Sequence, residues 1–387
     1  MRYRHPLIPF LLVWLALLTV TAWAQSPSPT PQPPQLPVRG YILEDFHSGQ
    51  VLAQMNADER LEPASITKLM TAYVVYQALE EGSINLDDPV TISEKAWRME
   101  GSRMFIEVGT QVPVRELILG MVVQSGNDAT VALAEHVAGT EQAFVALMNQ
   151  QADRLGLTDS HYMNTTGLPH PEHYTTAQDI ATLTRALIED FPDYYRNYAQ
   201  KEYRYNDITQ HNRNRLLWQD ESVDGVKTGH TSSAGYCLAA SARRGDTRLI
   251  SVVLGADSEK DRFSASQALL NYGFRFFETY KLYGAGEPLT QIRVWKGQLD
   301  ELPLGLAEDL YVTIPEGRYQ DLQPATRFSG QVEAPIDQGT VLGDVVVSLD
   351  DETVAQAPLE ALQKVPESGL VGRLMDQSLM LFHSLWE

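Results

Sequence analysis

The chain has 387 residues, with 50 acidic against 30 basic side chains and a formal net charge of −20. That balance argues against nucleic acid as a partner, because such a partner needs a basic footprint. An apolar content of 43% is ordinary for a globular protein, the length allows more than one domain, and the single cysteine rules out an intramolecular disulfide.

Arg2 and Arg4 precede an apolar run over residues 7–20, and Ala22-Trp23-Ala24 has the small-x-small form of a signal peptidase site. Residues 1–24 therefore read as a signal peptide for export, with cleavage before Gln25. A membrane-spanning helix is the alternative, but the run is short and a Pro-rich segment follows at once. Residues 25–38, with prolines at 27, 29, 31, 33, 34 and 37, cannot pack a core and read as an extended linker.

The folded part begins with a hairpin pattern, residues 41–45 against 51–54. Next, Pro63 and Ser65 precede Leu69, Met70, Tyr73, Val74 and Leu79, which repeat with helical period and place Ser65 near a helix N-terminus. Ser65 and Lys68 stand at i and i+3, so they share one face and touch. A serine hydroxyl is unreactive at neutral pH until a neighbour takes its proton, and a lysine does so only when neutral. Burial and a second cation, for which Lys227 is the candidate, both lower a lysine pKa. Unpaired N–H groups and the dipole at the helix start suit a developing oxyanion.

Ser125-Gly126-Asn127 falls between helical stretches at 114–123 and 129–137, which makes it a loop tip. The same Ser-x-Asn spacing recurs at Ser83-Ile84-Asn85 in what reads as a plain turn. His161, His170 and His173 share a polar stretch, yet no His-Glu-x-x-His helix is present and Asn164 to Pro169 reads as a loop, so no metal or other cofactor is expected. After Lys227-Thr228-Gly229 come apolar runs at 236–240 and 249–254, separated by a polar segment containing Gly245. This predicts a β-hairpin whose first strand carries the lysine motif. Cys237 lies in its apolar part and reads as a buried structural thiol.

Downstream of about Tyr280 the pattern turns strand-like, with alternation at 291–295, 310–314 and 345–349. Residues 284–365 are predicted to form a small all-β sandwich. In residues 366–387, Val371, Leu374, Met375, Leu379, Phe382, Leu385 and Trp386 form one helical face, with Arg373, Asp376, Gln377, His383, Ser384 and Glu387 mainly opposite. Such a helix lies in a membrane interface; the alternative is that it docks on the protein. Its positive charge is small, so membrane binding would rest on apolar burial.

With these three motifs in this order, the chain resembles the penicillin-recognising serine enzymes, most closely the low-molecular-mass penicillin-binding proteins that are D-alanyl-D-alanine carboxypeptidases. The resemblance extends through residues 62–71, 121–129, 211–214, 223–231 and 272–278, and it covers nearly the whole chain after the signal segment. It implies an α/β (α+β) transpeptidase-like catalytic domain over 39–283, with an antiparallel sheet and a helical subdomain, and a β domain that spaces the active site from a surface. It further implies that Ser65 attacks the bond between two terminal D-alanines of a peptidoglycan stem peptide, with Lys68 as base and Ser125 passing a proton to the leaving amine. Asn127 would bind the peptide, and the strand with Lys227, Thr228, Gly229 and His230 would pair with it. The backbone N–H groups of Ser65 and His230 would hold the oxyanion. Arg262 and Arg213 align with arginines near the pocket for the terminal carboxylate.

β-Lactam antibiotics are then covalent inhibitors, and the working place is the periplasmic face of the bacterial inner membrane. A peptidoglycan D,D-endopeptidase would use the same residues on a cross-link. A class A β-lactamase shares the serine and lysines but needs an acidic residue to activate water, and no Glu-x-x-Leu-Asn occurs here. A β-lactam sensor or binding scaffold is the non-enzymatic alternative, against which the intact Ser65, Lys68, Ser125 and Lys227 count.

Overall fold

The computed structural model describes residues 30–328 and 330–383. The expected signal segment, the start of the linker and Trp386 lie outside the described residues.

Strands β1 (Gly40–Asp45) and β2 (Val51–Met55) form the expected hairpin, with an irregular register at Leu43/Glu44. Three later strands complete an antiparallel sheet: β3 (Val223–Thr231), β4 (Gly235–Arg244) and β5 (Thr247–Ala256), in the order β2-β1-β5-β4-β3. The lysine motif therefore lies on a strand of its own, ahead of the β4-β5 hairpin, and not on the hairpin's first strand. Gly225, Lys227, Thr228 and Gly229 hide this strand from a search for apolar alternation, and only the pairing Lys227↔Ala239 reveals it.

Alternation across the sheet separates two cores. Ile42, Ala239, Ile250 and Val252 face a helical side, whereas Leu43, Leu238, Leu249 and Val253 pack with Leu269 and Leu270 of α4 (Glu259–Phe276). On the helical side, a 3-10 turn over Ala64–Thr67 leads into α1 (Lys68–Glu80). Every residue from Lys68 to Tyr76 is buried, so α1 is a central helix covered all round rather than an amphipathic surface one. Two helices, α2 (Val114–Val122) and α3 (Asn127–Ala138), pack beside it and bracket the Ser125 loop as the sequence pattern predicts.

The C-terminal part is all-β. Strand β6 (Phe277–Tyr283) leaves α4 and pairs with β9 (Leu310–Pro315). Strands β7 (Thr290–Trp295), β8 (Glu301–Gly305), β10 (Gln323–Phe328), β11 (Val332–Glu333), β12 (Val341–Leu349) and β13 (Glu352–Ala361) form a sheet ordered β10-β12-β13-β8-β7-β11. Val312 and Ile314 pack on Leu349 between the two sheets. Polar contacts seat this domain on the first: the Thr279 hydroxyl donates to buried Asp45 at 2.7 Å, and the Ser48 and Thr313 hydroxyls meet at 2.6 Å.

Helix α5 (Leu370–His383) follows. Its Asp376 carboxylate accepts the Lys296 N–H at 2.5 Å, while Leu370, Val371, Leu374, Met375 and Leu379 stay exposed. The polar side, not the apolar stripe, is what meets the β domain. Among the described residues no helix is long and apolar enough to cross a membrane.

Candidate active site

The turn that carries Ser65 begins at Ala64 with a φ of +47°, a left-handed conformation that is strained for a residue with a side chain. Gly167 presses against it: a Cβ there would lie 1.7 Å from the Ala64 carbonyl oxygen, at a φ of +83° that already favours glycine. Behind the turn, the Thr67 hydroxyl meets His173 Nε2 at 2.9 Å, and His173 Nδ1 accepts the Met163 N–H at 3.2 Å. Nε2 therefore carries the proton and donates to Thr67. Burial, assisted by His161 and His170, pushes His173 down to about 4, so it stays neutral. His161 Nδ1 faces the Glu172 carbonyl and His170 Nδ1 accepts the Glu172 N–H, so these histidines organise their loop.

Lys68 Nζ is surrounded by three acceptors: Ser65 Oγ at 3.0 Å, Asn127 Oδ1 at 2.7 Å and the Thr166 carbonyl at 2.9 Å. The side chain is buried, and burial first, then the positive charge of Arg213, brings its pKa down to about 7 against the opposing pull of Asp128. Arg213 thus takes the place expected of Lys227, which is itself depressed, by burial first and then by Lys68, Arg213 and Arg262. Among the described residues Lys227 Nζ reaches only the Thr228 carbonyl, at 3.0 Å.

Ser125 adopts a φ of +65° at the loop tip, and its Oγ is buried with no hydrogen-bond partner among the described residues. That leaves the hydroxyl free to take a partner from the cleft, whose lining includes Ser125. Asn127 opens α3 and bridges Lys68 to the Glu100 carbonyl, to which its Nδ2 donates at 2.6 Å. Next to it stands a residue that sequence reasoning missed. Asp128 is buried, and its carboxylate accepts the N–H groups of Met104 and Ala129 at 2.9 Å, Phe105 at 2.9 Å and Ile106 at 3.3 Å. It fixes the segment whose Gly101 and Ser102 wall the cleft. In sequence it looks like an ordinary acidic residue in a helix's first turn.

These groups border a cleft of about 490 Å³ lined by Ser65, Ser125, Asn127, Arg213, Thr228, Gly229, His230 and Arg262, with Lys68 and Lys227 buried beside it. β3 is the free edge of the sheet along one wall. Gly229 lets that strand sit against the turn carrying Ser65, since a Cβ would lie 2.9 Å from the Pro63 carbonyl. The exposed His230 ring stacks on Tyr236 with centroids 4.0 Å apart. Thr166, Gly167 and Leu168 form the opposite wall, and Asn164 Oδ1 gathers all three of their N–H groups. From sequence this was a plain loop; folding brings its Thr166 carbonyl onto Lys68.

The two arginines differ. Arg213 is exposed at the cleft and makes no ion pair among the described residues, leaving its fork open. Arg262 is only 4% exposed, with Nη1 donating to the Gly229 carbonyl at 3.1 Å and Nη2 at 3.3 Å from Glu259. It braces the β3 strand from behind while presenting one edge to the cleft.

Residues 28–258 match the D-alanyl-D-alanine carboxypeptidase family, and residues 277–367 match the C-terminal domain of penicillin-binding protein 5. The chain is 45% identical over 378 residues to the D-alanyl-D-alanine carboxypeptidase DacC of Escherichia coli strain K12, spanning 96% of this chain and 94% of that one. It is 44% identical over 361 residues to DacA of the same strain, spanning 91% and 90%. The crystal structure of penicillin-binding protein 5 from Haemophilus influenzae aligns with a TM-score of 0.85 at 42% identity, covering 87% of this chain and 100% of that one. A serine and a lysine held in contact beside a strand that carries Lys227-Thr228-Gly229, joined to a matching β domain, place this chain in the D-alanyl-D-alanine carboxypeptidase family.

Proposed function

We propose that the protein is a serine-type carboxypeptidase that removes the terminal D-alanine from peptidoglycan stem pentapeptides through an acyl-enzyme on Ser65, and that β-lactams acylate the same oxygen. The observation that carries this reading is the 3.0 Å contact between Ser65 Oγ and a lysine whose pKa is about 7. Lys68 takes the Ser65 proton as Oγ attacks the carbonyl between the two D-alanines. The oxyanion rests on the N–H groups of Ser65 and His230. Ser125, unpartnered among the described residues, relays a proton to the departing amine. The stem peptide adds to the free edge of β3 as a further strand.

Lys227, Thr228 and the open guanidinium of Arg213 receive the terminal carboxylate, for which a planar fork is well suited. Arg262 holds the Gly229 carbonyl through Nη1 and offers its other, cleft-facing edge to the same carboxylate. Asn127 uses one acceptor position on Lys68 and one N–H on the Glu100 carbonyl, so it orients the base and still has a second N–H for the peptide.

We place the enzyme at the periplasmic face of the inner membrane, exported by residues 1–24 and held through the exposed apolar stripe of α5. The deciding experiment incubates the purified exported form with a peptide ending in D-Ala-D-Ala and with a cross-linked muropeptide. Release of free D-alanine that is lost in Ser65→Ala supports the proposal. Cleavage of the cross-link alone would replace it with the endopeptidase reading.

A further inference from the structure

Glu259 is the single acidic side chain lining the active-site cleft among the described residues, and it stands at the end where cations gather. Its two oxygens contact different arginines: Oε1 lies 3.3 Å from Arg262 Nη2 and Oε2 lies 3.3 Å from Arg215 Nη2. Its charge also opposes the lowering that partial desolvation at the cleft imposes on Arg213. A pocket meant for a substrate carboxylate thus holds a carboxylate of its own.

Two features make this ion pair exchangeable. Glu259 is the first residue of α4, whose N-cap Ser258 accepts the Asp261 N–H at 3.1 Å, so the helix start favours the carboxylate whether or not an arginine touches it. The side chain is 41% exposed and also borders a neighbouring groove of about 500 Å³ formed with Arg215, Lys260 and Gln267, into which it has room to turn.

We propose that Glu259 is a specificity-determining residue that occupies the Arg262 edge in the empty cleft, yields it to the terminal carboxylate of the incoming chain, and reclaims it as D-alanine leaves. Small free carboxylates, the product among them, then bind too weakly to block the site. This inference rests on the carboxypeptidase reading given above.

The test uses the full exported chain and its Glu259→Gln and Glu259→Asp variants. Second-order rates of Ser65 acylation are measured by intact mass with a penicillin bearing its free carboxylate and with the methyl ester of the same penicillin. Removing this ion pair, whose carboxylate is 41% exposed and so partly screened, should speed acylation by the free acid about two- to five-fold in Glu259→Gln and tighten competition by free D-alanine by a similar factor. The ester rate should stay at the wild-type value, and Glu259→Asp should restore wild-type behaviour with both compounds. A free-acid rate that is unchanged or lower, or an ester rate that rises in parallel, overturns the inference. Failure of the wild-type protein to release D-alanine from a D-Ala-D-Ala peptide is a separate result, and it counts against the carboxypeptidase reading.

Discussion

Replacing Arg213 with glutamine should raise the pH at which Ser65 becomes reactive. A lysine with the ordinary value of 10.5 is neutral in roughly one molecule in three thousand at pH 7, whereas Lys68, at about 7, is neutral in about half. Arg213 is the largest cause of that depression after burial. Removing one partly screened cation should move Lys68 up by roughly half to one pH unit. The acylation rate with a labelled β-lactam at pH 7 should then fall about two- to five-fold through loss of the neutral base alone, and the two proteins should converge in this respect near pH 9. Any loss of carboxylate binding adds a factor independent of pH, so the midpoint of the profile between pH 5.5 and 10 is the quantity to compare. A wild-type midpoint above pH 9, or a midpoint that stays put or falls in Arg213→Gln, would refute the reasoning. The same depression leaves a mark on stability. Between about pH 7 and 10 the unfolded chain holds a proton on Lys68 that the folded one has lost, so stability from this group rises with pH across that window. Below pH 7 burying the ammonium costs roughly 4–5 kcal/mol, and Lys68→Met should reduce the slope in urea unfolding, leaving the share due to Lys227, while abolishing acylation.

Three further outcomes are expected. Asp128→Ala strands the N–H groups of Met104, Phe105 and Ile106 and should cost about 3–5 kcal/mol in denaturant unfolding; a loss under about 0.5 kcal/mol would show that the segment does not depend on it. Gly167→Ala adds a methyl group where the Ala64 carbonyl sits, so penicillin labelling of an untouched Ser65 should drop at least tenfold while the circular dichroism spectrum is kept; unimpaired labelling would mean the turn adjusts freely. On the tail, Leu379→Asp should abolish flotation with liposomes whereas Gln377→Asp should not, because each large apolar side chain buried in lipid contributes about 1.5–3 kcal/mol; equal flotation of both would remove the helix as an anchor.

The features legible in the sequence were those whose cause is local. Ser65 and Lys68 share a helical face because i and i+3 always do, and Ser125 falls at a loop tip because two helical patterns stop on either side of it. The alternating apolar runs announced the hairpins and the C-terminal sheets, and the spacing of Val371, Leu374, Met375 and Leu379 gave the tail its stripe. What remained hidden depends on segments distant along the chain. The β3 strand has too few apolar side chains to show a pattern, and it exists because Lys227 finds Ala239 across the ladder. Asp128 and Glu259 look like common first-turn acids until folding aims them at loop amides and at arginines. Above all, the sequence supplies a lysine beside a serine but not a base. In the proposed mechanism Lys68 becomes one only where α1 is sealed on every side, Thr166 brings its carbonyl from 98 residues away, and Arg213 adds its charge. A pKa sums burial and every nearby charge through space, and those distances are set by tertiary packing alone.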